Sequence, residues 1–409
     1  MSGNVGDLSQ KQKDILEKFK NKVKDILKPE HDDYYILRWL RARNFDLKKS
    51  ETMLRNDYSW RKHIGADTIR EDYKVPEVLQ KYYIGGFCGH DNEGCPVWYE
   101  PFGYIDLKGV LQSVKKMDII KMKVLQMEKI YHLFRTAEEK KGHKAAQIII
   151  VFDLDKFSMK HLWKPGVDVM CELITMFEDH YPETLKSSFV INAPRIFPIA
   201  YNLFRPFLSE ETVKKVQILG SNYKEVLTSH IPPQELPTYY GGTKTDPDGN
   251  PKCMIQICFG GEVPESYYIQ QIANLAGFTE STIGRGSSLQ VDYEIKVKNS
   301  AIRWQFKTDG FDIGFGVYRR TKDGRQKAGE MEAVMATMRV NSHLVPEDGS
   351  LTCKETGTYV VRFDNTYSWA RGKKIFYQIE VLEPDVTDLQ MPRSPSPGSD
   401  NSFYDTYSS

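Results

Sequence analysis

Apolar positions recur at helical spacing through the first sixty residues. In KQKDILEKFKNKVKDIL (11–27), Ile15, Leu16, Phe19, Val23, Ile26 and Leu27 fall on one helical face. In the following DDYYILRWLRARNFDLKKSETML, Asp32 and Asp33 suit a helix start and Ile36, Trp39 and Leu40 form the apolar stripe, with a turn at 44–46 before another short helix. These segments predict a small helical bundle. From about residue 76 the texture changes. PVWYEPFGYID (96–106) predicts a strand, and 114–141 a long Lys-rich helix carrying Met117, Ile120, Val124, Met127 and Tyr131. QIIIVFDLD (147–155) holds a continuous apolar run, Ile148 to Phe152, which marks a strand covered on both faces, as in parallel sheets between helices. A helix at 166–179, strands at 187–193 and 216–220, and a helix from Asn222 continue the alternation, so this region reads as α/β with a mainly parallel sheet.

A second change comes at TYYGGTKTDPDGNPKC (238–253), crowded with Gly, Pro, Asp and Asn, which is a linker composition. Beyond it SLQVDYEIKVK (288–298) alternates strictly, with Leu289, Val291, Tyr293, Ile295 and Val297 on one side; AIRWQFKT and DIGFGVY repeat the pattern. Turn signals at Asp309-Gly310, Asp323-Gly324 and Asp348-Gly349, and two last strands in TYVVRFDN and KIFYQIEVL, predict an all-β antiparallel sandwich. The division expected is therefore 1–75 helical lead-in, 76–243 α/β domain, 244–252 linker, 253–383 sandwich, and 384–409 a tail disordered on composition.

One segment departs from both periods. FPIAYNLFRPFL (197–208) is apolar nearly all round, with Ile199, Tyr201, Leu203, Phe204, Phe207 and Leu208 against only Asn202 and Arg205. As a helix it would be about 18 Å long, short of the roughly 30 Å hydrocarbon core of a bilayer. It reads as a buried helix, an interfacial helix, or a movable wall over an apolar cavity.

Charge narrows the partners. The 56 basic and 55 acidic residues nearly cancel, which argues against a general nucleic-acid binder. Residues 115–144 carry a local basic excess, read as a solvated helix face. The six cysteines form no C-x-x-C, and MSGNVGDLSQKQKD has neither the apolar stretch of a signal peptide nor the glycine that N-myristoylation needs. The expectation is a reduced, cytoplasmic chain whose membrane contact is peripheral and reversible.

Catalytic signatures are missing. The chain has no G-x-x-x-x-G-K-[ST], G-x-S-x-G or H-E-x-x-H, and the glycines of GFDIGFGVY lie inside an alternating strand. His161 and His180 lack metal-ligand spacing, so both are read as structural and no metal or cofactor is expected. Asp153 and Asp155 end a buried strand, where α/β enzymes place acids, but without a partner nucleophile they are read as solvated or capping groups.

LRWLRARNFDLKKSETML, DNEGCPVWYE, FEDHYPETLKSSFVINAPRIFPIAYNLFRPFLSEETVKKVQILG and IPPQELPTYYGG together resemble the CRAL-TRIO lipid-binding family over about 1–243. RGSSLQVDYEI, IRWQFKTDGFDIGFGVY, YVVRFDNTYSW and KKIFYQIEV resemble a GOLD domain over about 253–383. The resemblance implies a non-enzymatic carrier that encloses one hydrophobic lipid between the sheet floor and a mobile gate helix at 197–208 and exchanges it at membranes. The GOLD domain would meet a protein partner, and a trafficking adaptor acting mainly through it is the alternative.

In phosphatidylinositol-carrying members of that family, the head group is held by positions that fall here at Arg43, Glu183, Thr212 and Lys215. Cavity-lining positions fall at Trp98, Ile148, Ile150 and Phe152. The sequence departs from the pattern where a second Arg is replaced by Thr184, and where the Ser and Thr that hold phosphocholine are Ile148 and Ile150. Neither Ile donates to a phosphate, and burying a phosphate unpaired costs several kcal/mol. The implied ligand is therefore an isoprenoid such as tocopherol or squalene, with phosphatidylinositol as a second.

Overall fold

The computed structural model describes residues 3–141, 147–269 and 275–383. The expected tail at 384–409 lies outside the described residues. At the N-terminus, α1 (Gln10–Val23), α2 (Asp33–Arg41) and α3 (Leu47–Ile64) form the predicted bundle. Each start has a side-chain cap: Ser9 in a capping box with Gln12, then Asp32, then Asp46, which accept amide hydrogens the helix cannot satisfy itself. Leu16, Phe19, Val23, Ile36, Trp39, Leu40, Met53 and Leu54 make its core. The expected turn at 44–46 is present, with Asn44 and Phe45 left-handed; the helix after it is eighteen residues rather than short.

Short helices α4 (Ile69–Asp72) and α5 (Glu77–Tyr82) lead to β1 (Gly86–His90) and β2 (Pro96–Glu100). Then follow α6 (Leu107–Ser113), α7 (Lys116–Lys141), β3 (Ile148–Asp153), α8 (Lys164–His180), β4 (Leu185–Ile191), α9 (Phe197–Phe204), α10 (Glu210–Lys215), β5 (Val216–Ile218) and α11 (Tyr223–His230). The five strands lie in chain order; β1 runs antiparallel to β2, and β2 through β5 are parallel. Strand β2 stops before residue 106 because Pro101 cannot donate to a ladder, and Phe102–Tyr104 coil into a 3₁₀ turn. Gly103 is required there, since a Cβ would lie 1.6 Å from the Asp155 carbonyl oxygen.

The register aligns Trp98 with Ile150, Glu100 with Phe152 and Ile148 with Leu185. Successive side chains therefore alternate between two faces. Val97, Tyr99, Ile149, Val151, Phe189 and Ile191 pack with Leu227, Ile231, Tyr240, Ile257 and Phe259 in one closed core. The opposite face meets α7 and α8. Part of the basic excess of α7 is not solvated: Lys116 and Lys123 are buried with Ile119, Val124 and Ile130, paired with Glu172 at 2.6 Å and Glu100 at 3.2 Å, whereas Lys129 is exposed and the side chains of 135–144 lie outside the described residues. Between residues 116 and 134, flanked by α4, α8 and the sheet, α7 has little perimeter left for water.

Residues 244–263 do not separate two bodies as a linker would. Asp246 is buried and accepts the Ile255 amide, Cys258 bridges to Gly85 beside β1, and Val263 joins the core on the other side of the sheet. Their turn-rich composition builds a tight latch over the sheet rather than a spacer.

The sandwich comprises β6 (Thr279–Ile283), β7 (Ser288–Ile295), β8 (Ser300–Thr308), β9 (Ile313–Arg319), β10 (Glu332–Val340), β11 (Glu347–Cys353), β12 (Gly357–Asp364) and β13 (Lys373–Leu382). One sheet has the order β10-β9-β12-β7 and the other β11-β8-β13-β6, all pairs antiparallel. Asp348-Gly349 is not a turn but part of β11: Gly349 pairs with Trp304, and a Cβ there would come within 2.7 Å of the indole.

Met338 and Leu344 of the sandwich pack onto the α/β core, and Lys115 donates to the Asp348 carboxylate at 2.7 Å and its carbonyl at 2.8 Å. Beside this contact, burial pushes the Glu347 carboxyl up to about 7; Lys115 and Lys116 oppose the shift, and Asp348 and Asp118 add to it. The packed interface thus favours the protonated acid. Its contribution is complete below the ordinary value of 4.5 and is lost as pH rises through about 7. For one proton the slope is at most about 1.4 kcal/mol per pH unit. Glu347→Gln should flatten the pH dependence of thermal unfolding across that window, and an unchanged slope would refute the assignment.

Candidate functional site

The face of the sheet opposite the closed core borders a cavity of about 590 Å³. Trp98, Ile148, Ile150, Phe152 and Val190 are its floor, which places all four expected cavity-lining residues on it. Met127 and Ile130 of α7 and Met170, Leu173, Ile174 and Phe177 of α8 are its walls. Its roof is α9, from which Phe197, Ala200, Tyr201 and Phe204 line the space, with Leu208 beyond the helix end. Those helix positions are i, i+3, i+4 and i+7, one face of an α-helix.

The other face of α9 is apolar too, and open. Ile199 is 56% exposed, Leu203 42% and Phe207 44%, so these three of the six expected gate residues face outward while Tyr201, Phe204 and Leu208 face the cavity. The helix is lightly anchored: Pro198 occupies its first turn, no side chain caps its start, and Arg205–Phe207 wind into a 3₁₀ turn at its end.

At the mouth the structure brings Arg43, Glu183, Thr212 and Lys215 onto one rim. Glu183, with a left-handed backbone (φ 58°), accepts from Arg41 at 2.8 Å and Lys215 at 3.4 Å, whereas Arg43 donates to the Ala42 carbonyl at 2.9 Å. Arg41, which the sequence reading passed over, is thus the cation nearest the buried acid. The Thr212 amide donates to Ser209 Oγ at 3.1 Å, so this helix-start amide is already engaged. Thr184 is buried, its hydroxyl donating to the Tyr181 carbonyl at 2.9 Å.

Sequence reasoning also missed a polar group inside the apolar space. Lys123 Nζ lies 3.2 Å from Glu100 Oε1, their side chains 8% and 9% exposed, and both line the cavity. The other Glu100 oxygen accepts from Trp98 Nε1, and the ammonium sits over the Tyr83 and Trp98 rings at 4.7 and 5.3 Å. The signal was present: Ile120, Lys123, Val124 and Met127 share one helical face, so a lysine stands where the pattern calls for an apolar residue.

Asp153 is neither solvated nor a cap. It is fully buried, and its carboxylate accepts from the Asp155 amide at 3.0 Å, Asn192 Nδ2 at 2.8 Å and the Tyr240 hydroxyl at 3.3 Å. Burial nevertheless raises its carboxyl above the ordinary range. Asp155 accepts the Tyr104 hydroxyl at 2.7 Å. His161 stacks on Phe157 and accepts the Ser158 amide, while His180 stacks on Trp60 and pairs with Asp57 at 3.0 Å. Among the described residues no cluster of three metal-ligating side chains occurs. No described helix is long and apolar enough to cross a membrane.

Comparison with known proteins matches residues 80–242 to a family model described as the CRAL/TRIO domain and residues 9–56 to the CRAL/TRIO N-terminal domain. Protein ctg-1 of Caenorhabditis elegans is 32% identical over 354 residues, 86% of this chain and 91% of that protein. Protein real-time of Aedes aegypti is 28% identical over 92% of this chain, which spans 62% of that longer protein. Among solved structures, the crystal structure of Sfh5 is similar over 54% of this chain and 84% of its own, at 21% identity and a TM-score of 0.45.

Three donors converge on the Asp153 carboxylate, so Asp153→Ala would leave the Asp155 amide, Asn192 Nδ2 and the Tyr240 hydroxyl without their acceptor. We expect a loss of about 1–3 kcal/mol in urea unfolding with ligand binding retained. Unchanged stability would return the residue to the list of free acids.

Proposed function

The chain belongs to the CRAL/TRIO domain family, and from that premise we propose that it is a carrier enclosing one hydrophobic lipid and presenting or transferring it at membranes. The observation that carries this reading is the pairing of a largely apolar cavity with a roof helix that is apolar on both faces. A crossover helix that only closed a core would turn a polar face to water. Here Ile199, Leu203 and Phe207 form an outward apolar patch suited to the boundary between head groups and acyl chains. Contact with a bilayer would cover that patch and loosen the inner face, opening a route for cargo that never meets bulk water.

The cargo we propose is an isoprenoid such as tocopherol or squalene. The floor residues Ile148 and Ile150 favour this reading over a phosphocholine lipid, having no donor for a phosphate. Phosphatidylinositol is the proposed second ligand. Its head group would meet Arg41, Lys215 and the Thr212 hydroxyl, with Arg43 free to turn from its backbone carbonyl, and Glu183 holding the two nearest cations in place. The C-terminal sandwich, read as a GOLD domain, is the proposed site of a protein partner.

Mass spectrometry of an organic extract of the purified chain should find about one lipid per protein, and the chain should take up tocopherol or squalene from vesicles. A chain that carries and accepts neither is not a lipid carrier. Ile199→Asp with Leu203→Asp should slow transfer between vesicles by about tenfold or more, because each charge must be dragged into the interface, while the melting temperature stays within a few degrees. Transfer at the wild-type rate would make α9 an inert wall.

A further inference from the structure

The ion pair of Glu100 and Lys123 has no role in closing an apolar cavity, and it is costly where it stands. Two ions taken from water lose hydration worth several kcal/mol each, which their mutual attraction repays only when the remaining donors and acceptors are also satisfied. Those remaining valences are uneven. Glu100 accepts from Lys123 with one oxygen and from Trp98 Nε1 with the other. Among the described residues Lys123 gives one hydrogen bond, to Glu100, although an ammonium carries three N–H donors. The rings of Tyr83 and Trp98 soften its charge without accepting along a defined direction. Two donors and the spare lone pairs of a carboxylate therefore border a space that is largely apolar.

The position of the pair sharpens its meaning. Glu100 ends β2 and pairs with Phe152, while Ile148, at the other end of β3, pairs with Leu185, next to Thr184 and the Glu183 rim. Four residue steps along β3 separate the two polar groups by about 13 Å at the strand rise of roughly 3.3 Å. The cavity thus has a charged mouth and, at the far end of its floor, a small closed polar patch. A lipid anchored by a phosphate head at the mouth would lay its tails against the ammonium and leave those donors unpaired. A cargo entering the other way round would not.

Resting on the carrier reading above, we propose that Glu100 and Lys123 form a dock for one oxygen-bearing end of the cargo. The chain would then select an isoprenoid with a single hydroxyl over the corresponding hydrocarbon, hydroxyl end innermost. A hydroxyl suits both partners: its oxygen accepts from Lys123 Nζ and its proton goes to a Glu100 oxygen. Trp98 Nε1 is a positioning group that fixes the carboxylate. Water could occupy the same place in the unloaded protein, and the cargo hydroxyl would reproduce its hydrogen bonds on displacing it. A hydrocarbon could only remove them. Sites built to hydrogen-bond a hydroxyl reject analogues lacking it far more strongly than apolar pockets separate molecules by size.

The test compares three probes on the full chain: α-tocopherol, its O-methyl ether and squalene. On the wild type the ether, which keeps the shape and loses the proton, should bind at least about tenfold more weakly than the phenol. Equal affinities would overturn the proposal. In the double variant Glu100→Leu with Lys123→Met, which removes both charges and leaves neither orphaned, phenol and ether should bind within about threefold of each other while squalene binds as well as or better than before. Retained discrimination in that variant would also overturn it. Should the variant fail to fold, the wild-type comparison of phenol and ether decides alone. A wild type that binds none of the three defeats the carrier reading itself, an outcome distinct from equal binding of phenol and ether.

Discussion

The period of two along β3 is the constraint on which the rest of the molecule depends. Ile149 and Val151 point into a core sealed by α11 and the latch at 244–263, so Ile148, Ile150 and Phe152 must point the other way. A one-residue slip would exchange the two sets and put closely packed side chains over empty space. Both faces are apolar, so both must be covered. On one side close packing meets that demand. On the other, α7, α8 and α9 stand off far enough to leave a cavity, which serves as a core only when something apolar fills it.

Burying charge around such a space is costly, and the chain does it in two ways. At the mouth, Glu183 joins Arg41 and Lys215, two cations from elements far apart in sequence, so one acid fastens the N-terminal bundle to the segment that follows α9. Farther along the wall, Arg61 donates to both Glu128 and Asp67, and Tyr181 adds its hydroxyl to Glu128. These networks give each buried acid at least two partners, which is how buried polar groups become tolerable. The Glu100–Lys123 pair differs in its setting: it lies among the apolar residues that line the cavity rather than at the charged mouth, and this is what sets it apart from the structural networks.

Much of the architecture was legible in the sequence because it rests on local periods. The apolar run Ile148–Phe152, the alternation in β7 to β9 and the stripes of α1 and α2 each name their element and face. Edge strands were harder. Residues 332–340 are half exposed along most of their length and slip register twice against β9, so no clean alternation survives. Asp348-Gly349 has turn chemistry, but the glycine makes room for Trp304, a residue more than forty positions away. The 244–252 linker failed for the same reason: turn-forming composition says that a chain bends, not what it bends against. At the site, the resemblance named the rim residues one by one, yet the pairing of Glu183 with Arg41 depends on which way a helix end faces, which spacing alone does not encode.

The remaining step links the weakest element to the cavity beneath it. A helix of eight residues is below the length at which helices persist in water without tertiary support, and α9 has neither an N-terminal side-chain cap nor a polar face for solvent. Its stability comes from Phe197, Ala200, Tyr201 and Phe204 pressing on whatever occupies the space below. With cargo in place those side chains have neighbours and the helix is held; without it they border a void and forfeit much of their dispersion contact. On the proposed carrier reading, loading and closure would therefore be one equilibrium, since anything that binds the closed form stabilises it. In the proposed membrane step a bilayer would enter that equilibrium from the opposite face, by offering Ile199, Leu203 and Phe207 a better environment than water. On that reading lipid inside and lipid outside would compete for the same short helix, and because its two faces are comparably apolar, neither state would lie far below the other in free energy.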